Sequence, residues 1–126
     1  MNSRLQDNPI FNDYKPDDDH FYLKYRTLSI NDIKDIVTFL NEKEYAHINH
    51  FWLNHCKIEK GGLSILLNAL SAIPNITTLN LLECALDNED AIVVAEWLKT
   101  NTTIHALSLG NNEINDMSNQ IGPKGH

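Results

Sequence analysis

Two stretches decide the fold: Leu79-Asn80-Leu81-Leu82-Glu83-Cys84-Ala85-Leu86 and Leu107-Ser108-Leu109-Gly110-Asn111-Asn112-Glu113-Ile114. They carry one pattern, 28 residues apart. The same step relates Ile48, Ile76 and Ile104, and Phe51, Leu79 and Leu107. It also relates Leu53, Leu81 and Leu109, then Cys56, Cys84 and Asn112, then Ile58, Leu86 and Ile114. Self-similarity at a fixed period in this range marks a stacked repeat architecture. One more step of 28 toward the N-terminus places Leu23, Tyr25, Leu28 and Ile30 under Phe51, Leu53, Cys56 and Ile58. His20 stands there in place of the leading Ile, so the first copy is degenerate.

Each copy has two halves. Ile76-x-x-Leu79-x-Leu81 alternates with period two and reads as a short strand. Leu63, Leu66, Leu67 and Leu70 fall at i, i+3, i+4 and i+7, as do Ala91, Val94, Ala95 and Leu98, and both sets read as one face of a helix. Asp87 and Asp90 have the spacing of an N-cap and its acidic partner. Asn75 and Asn101 precede the strands, where turns are needed. A strand–turn–helix unit returns each strand parallel to the last, about 4.8 Å away. One such unit cannot bury its own apolar face, so stacking supplies the core. The expected class is α/β, with a parallel sheet on one side and helices on the other.

With these residues in view, the chain resembles the leucine-rich repeat family through the signature L-x-L-x-x-(N/C)-x-(L/I). The period of 28, the helix in each unit and the Cys/Asn alternation in one column resemble its ribonuclease-inhibitor-like subclass. The resemblance spans residues 20–115, about three and a half repeats. It implies a short horseshoe-shaped solenoid with its sheet on the concave face and its helices on the convex face. It also implies a protein-binding scaffold whose fold carries no catalytic residues. Residues 1–19 read as an N-terminal arm that caps the first repeat through Ile10, Phe11 and Tyr14, or else as a tail that orders on binding. The first helix (Ile33, Ile36, Val37, Leu40) fits the period less well. The last copy has no helix after its turn, and residues 116–126 form a polar tail containing Gly and Pro. An uncovered last strand would be an open edge. The Asn- and Ile-rich composition also resembles that of repeat effectors of intracellular bacteria, which implies delivery into a host cell.

The 126 residues carry 10 Lys and Arg against 17 Asp and Glu, a formal charge of −7. That opposes a nucleic-acid footprint or a polybasic membrane patch. Hydrophobic residues make up 42% of the chain, enough for a packed core. No apolar run approaches membrane-spanning length, and no signal-like h-region follows Met1, so the expectation is a cytoplasmic protein without membrane insertion. Two cysteines, Cys56 and Cys84, do not make a disulfide scaffold. They lie one repeat apart in an inward column and read as buried thiols, with a cross-strand disulfide as the alternative.

Packing does not dictate the outward strand residues, so they are the candidate contact set. They are Tyr22, Lys24, Arg26 and Thr27, then His50, Trp52, Asn54 and His55, then Thr78, Asn80, Leu82 and Glu83, and finally Ala106, Ser108, Gly110 and Asn111. With a step of 28, Tyr22 is expected beside His50, Lys24 beside Trp52, Arg26 beside Asn54, and Leu82 beside Asn54 and Gly110. One half of the face is then aromatic and basic, the other small and neutral. The partner-binding set comprises Tyr22, Lys24, Arg26, His50, Trp52, Asn54, His55, Asn80, Leu82 and Glu83. An outward Trp flanked by Tyr and Arg has hot-spot composition. The alternative is that Trp52 only covers the sheet or meets the N-terminal arm.

Other signals are weaker. His47, His50, His55 and Cys56 cluster in sequence, but an extended strand would separate His50 from His55 by roughly 15 Å. Asp17-Asp18-Asp19-His20 lacks the spacing of a calcium loop. Gly61-Gly62 marks a helix start. Trp97 is expected to wedge between helices. No nucleophile elbow, phosphate loop or H-E-x-x-H is present. The expectation is therefore no enzyme activity, no metal and no cofactor. It is a module that binds a partner protein through its concave face, with homodimerisation through the C-terminal edge as the alternative.

Overall fold

A computed structural model describes residues 3–110, with side chains from Leu5 onward. The chain is mixed α/β, and its main sheet has four parallel strands in sequence order: β1 (His20–Lys24), β3 (His50–Asn54), β5 (Thr78–Asn80) and β6 (Ala106–Ser108). Helices α2 (Ile30–Leu40), α3 (Gly62–Leu70) and α4 (Asn88–Leu98) connect consecutive strands. β2 (Thr27–Leu28) and β4 (Lys57–Ile58) pair as a second, two-stranded parallel sheet. A short helix α1 (Ser3–Gln6) and a 3-10 turn (Pro9–Phe11) precede β1.

Inward columns run across the strands. Phe21, Phe51 and Leu79 form one, and Leu23, Leu53 and Leu81 another, all buried. The helices cover this face with Ile33, Ile36, Phe39 and Leu40 from α2, and Leu63, Leu66, Leu67 and Leu70 from α3. In α4 the buried set is Ala91, Val94 and Trp97, while Ala95 and Leu98 are only half-buried. Trp97 carries the wedge: its indole N–H donates to Ser71 Oγ at 2.8 Å, so the ring closes the α3–α4 seam. Likewise Phe39, not Val37, anchors α2.

Helix starts follow local chemistry. Ser29 caps α2 and Asp87 caps α4, each in a reciprocal box with the Asp three residues on. α3 has no such box and starts from Gly61, whose φ of 89° is left-handed.

The first repeat step is 30 residues, not 28. β1 pairs with β3 as His20↔His50, Phe21↔Phe51, Tyr22↔Trp52, Leu23↔Leu53 and Lys24↔Asn54, and Leu28 pairs with Ile58. The later steps are 28, as in Phe51↔Leu79↔Leu107. The two extra residues lie between the end of α2 and the start of β3, where Lys43–Tyr45 make a 3-10 turn. Tyr45 is buried there and stacks on Phe39 at 4.0 Å.

The N-terminal segment belongs to the core. Leu5, Ile10 and Phe11 are buried, and Phe11 packs on Phe21 at 5.9 Å and on Phe39 at 4.9 Å. Asn8 donates to both Asp32 and Asp35 of α2 at 3.0 Å. Tyr14 seals the corner edge-on to Phe39 and Tyr45. The expected outward residue Asn111, the Asn112 and Ile114 positions of the last copy, and the tail 116–126 lie outside the described residues.

Candidate functional site

The strands alternate in burial, leaving one face of the sheet without helices. Six of the ten residues in the expected partner-binding set project from it: Tyr22 and Lys24 on β1, His50, Trp52 and Asn54 on β3, and Asn80 on β5. Their neighbours differ from expectation because of the 30-residue step. Tyr22 lies beside Trp52 rather than His50, and Lys24 beside Asn54 rather than Trp52. His20 enters the face opposite His50, a position the 28-residue alignment assigned to an inward column.

This shift assembles an aromatic cluster. The Trp52 indole stacks with His20 at 5.2 Å and with His50 at 5.4 Å, at interplanar angles of 23° and 26°. Tyr22 meets the same indole edge-on at 6.4 Å. Asn54 Nδ2 donates to the Tyr22 hydroxyl at 3.4 Å. His20 Nδ1 lies 3.2 Å from the Asp19 carboxylate. Along β3, His50 Nδ1 and Asn54 Oδ1 flank Trp52, and both are buried with no hydrogen-bond partner. Such atoms are rare, and each costs about 1–3 kcal/mol. Their cost here falls on the two neighbours of one tryptophan.

A ladder of left-handed residues borders the face. Tyr25, His55 and Glu83 have φ of 57°, 53° and 54°, although none is glycine. The geometry repeats because each donates its amide N–H across the sheet, to Asn54, Leu82 and Gly110 respectively. Their side chains continue the ladder. The Tyr25 and His55 rings stack at 4.7 Å, and His55 Nε2 sits 3.2 Å from Glu83 Oε2. Tyr25, placed inward by the 28-residue alignment, is 71% exposed. His55 and Glu83 thus belong to this border rather than to the strand rows. Leu82 sits beside Gly110, where a Cβ would lie 3.1 Å from its Cδ1.

Arg26 does not join Asn54. It follows Tyr25 and stands across from Cys56, two residues displaced from expectation. Its guanidinium pairs with Asp13 at 3.8 Å. A cavity of about 260 Å³ at this outer edge of β1 is lined by Asp13, Tyr14, Asp18, His20, Lys24 and Arg26, among others.

Cys56 and Cys84 are buried free thiols. Each donates to the carbonyl of the preceding rung, Cys56 to Leu23 at 3.6 Å and Cys84 to Leu53 at 3.3 Å. Burial pushes the Cys84 thiol up to about 11 and raises Cys56 as well. Among the described residues, no three His, Cys, Asp or Glu side chains converge to hold a metal ion. Among them, too, no helix is long and apolar enough to cross a membrane. No family model matches the chain, and no solved structure matches it.

Proposed function

We propose that this chain is a non-enzymatic protein-interaction module, a short leucine-rich repeat solenoid that binds a partner protein through the helix-free, concave face of its sheet. The observation that carries the reading is the Trp52 cluster, an indole stacked by His20 and His50 and edged by Tyr22 on the face that packing leaves open. Trp and Tyr in such a setting supply large contact area at little entropic cost. The small residues Ala106, Ser108 and Gly110 at the other end let a partner's backbone come close. The repeating register and the Cys-column hydrogen bonds support the family assignment. The buried reduced thiols fit a cytoplasmic setting.

The test is a lysate pull-down with the wild-type protein beside Trp52→Asp. Proteins retained by the first and lost by the second are the expected result. Identical sets on both baits would sink the concave-face reading.

A second reading, self-association through the C-terminal edge, rests on a different observation. Ile104, Leu107 and Leu109 are only half-buried, whereas Ile76, Leu79 and Leu81 in the preceding rung are fully buried. Sedimentation showing a concentration-dependent dimer that Leu107→Lys abolishes would favour it; a monomer at all concentrations would remove it.

A further inference from the structure

Resting on the interaction reading above, we propose that the partner presents an acidic, extended polypeptide segment, with an apolar side chain seated on Trp52 and a carboxylate beside Lys24. The argument begins from charge. The chain carries −7 overall, yet the rows of the open sheet face contain no carboxylate. Those rows read His20, His50, Thr78 and Ala106; then Tyr22, Trp52, Asn80 and Ser108; then Lys24 and Asn54. Their one full charge is Lys24, which is exposed and makes no ion pair with any described residue.

Carboxylates near the face stand at its rim, and four of them have a partner. Asp19 is on His20, Asp13 on Arg26 and Glu83 on His55. Asp18 is held by the Lys15 amide. A basic segment would meet no carboxylate in the described strand rows of this face. It would also bring its own cations toward Lys24. An acidic segment meets the exposed ammonium and the polar Asn54 and Asn80 amides, with Trp52 between them. In a molecule of net charge −7, these rows are a surface without a carboxylate of their own, on which an acidic segment is tolerated.

The shape argues for an extended segment. The face is a shallow sheet with aromatic height at β1 and β3 and little side chain at β6. A chain lying across the strands can step down from Trp52 toward Ser108 and Gly110 with its backbone near the sheet. A folded convex surface would meet the aromatic end alone.

The experiment is phage display of random 12-residue peptides on the full chain, with Trp52→Thr and Lys24→Glu run in parallel. Threonine keeps the strand preference of the site, and a thermal melt of each variant confirms folding. The expected result is enrichment of peptides with negative mean charge and an apolar residue. Their affinity should fall about 30-fold or more on Trp52→Thr, as for a hot-spot anchor. It should fall roughly tenfold or more on Lys24→Glu, as for a charge-assisted contact. Trp52-dependent peptides that are neutral or basic would overturn the acidic partner while leaving the interaction reading in place. Acidic peptides indifferent to Lys24→Glu would overturn the placement of the carboxylate. Peptides indifferent to Trp52→Thr, or no enrichment at all, would overturn both readings.

Discussion

At the scale of single residues, the inward Cys column shows how a small side chain solves a turn. Each thiol is small enough to sit inside, and its S–H reaches a carbonyl of the neighbouring rung. A thiol so held is a poor nucleophile, since the thiolate is the reactive form. We expect neither Cys56 nor Cys84 to react with a thiol reagent in the native protein at pH 8, and both to react at once in denaturant. Rapid native labelling would show the column to be open. The same burial makes the thiols pH-sensitive contributors to stability. Their folded pKa lies above the unfolded one, so the neutral form is favoured by folding. That stabilisation is complete below the unfolded thiol's pKa, about 8.5. It is lost as pH rises through the folded value, about 11 for Cys84. A denaturation midpoint that declines above about pH 8.5, less steeply in Cys84→Ala than in wild type, is the expected signature.

At the scale of the element, α3 differs from its neighbours in how it begins. α2 and α4 start from side-chain caps, whereas α3 starts from two glycines. Gly61 supplies the left-handed φ, and Gly62 supplies space. A Cβ on Gly62 would lie 2.9 Å from Ile58 Cγ2 and 3.3 Å from Ile33 Cγ1. The helix start is thus pressed against the β4 strand and against α2, and no larger residue fits without displacement. Gly62→Ala should destabilise the protein by about 1–3 kcal/mol, despite alanine's better helix propensity. Urea titration checks this. A neutral or stabilising result would mean that Ile58 yields easily.

At the scale of the whole molecule, the first rung is closed by the chain's own N-terminal segment. Phe11 lies between Phe21 of the sheet and Phe39 of α2, with Tyr14 beside it. The first strand of a parallel sheet has no neighbour on its outer side, so its apolar residues need another cover there. Here an aromatic cluster fills that role. Phe11→Ala should therefore lower global stability by about 3–5 kcal/mol, in a single cooperative transition, and not merely loosen the arm. Hydrogen exchange gives the contrast. Loss of protection in β1 and α2 together with residues 5–14 is expected. Loss confined to residues 5–14 would make the arm an appendage.

The period, the parallel α/β class and the inward columns of the later repeats were legible in the sequence, because burial imposes the same apolar residue at each rung. The caps at Asp87 and the seam role of Trp97 were legible for the same local reasons. The first rung was misplaced by two residues, although the cue was present. His20-Phe21-Tyr22-Leu23 and His50-Phe51-Trp52-Leu53 match at a step of 30. The 28-residue ruler hid that match, because the extra residues sit in a turn that carries no period. Tertiary structure alone decided that Tyr45 could bury itself there and so lengthen one repeat. That choice carries His20 and Tyr22 into contact with Trp52, and sends Arg26 off to Asp13. Inward positions repeat because the core is periodic. Outward positions are set by register, and register is a property of paired strands.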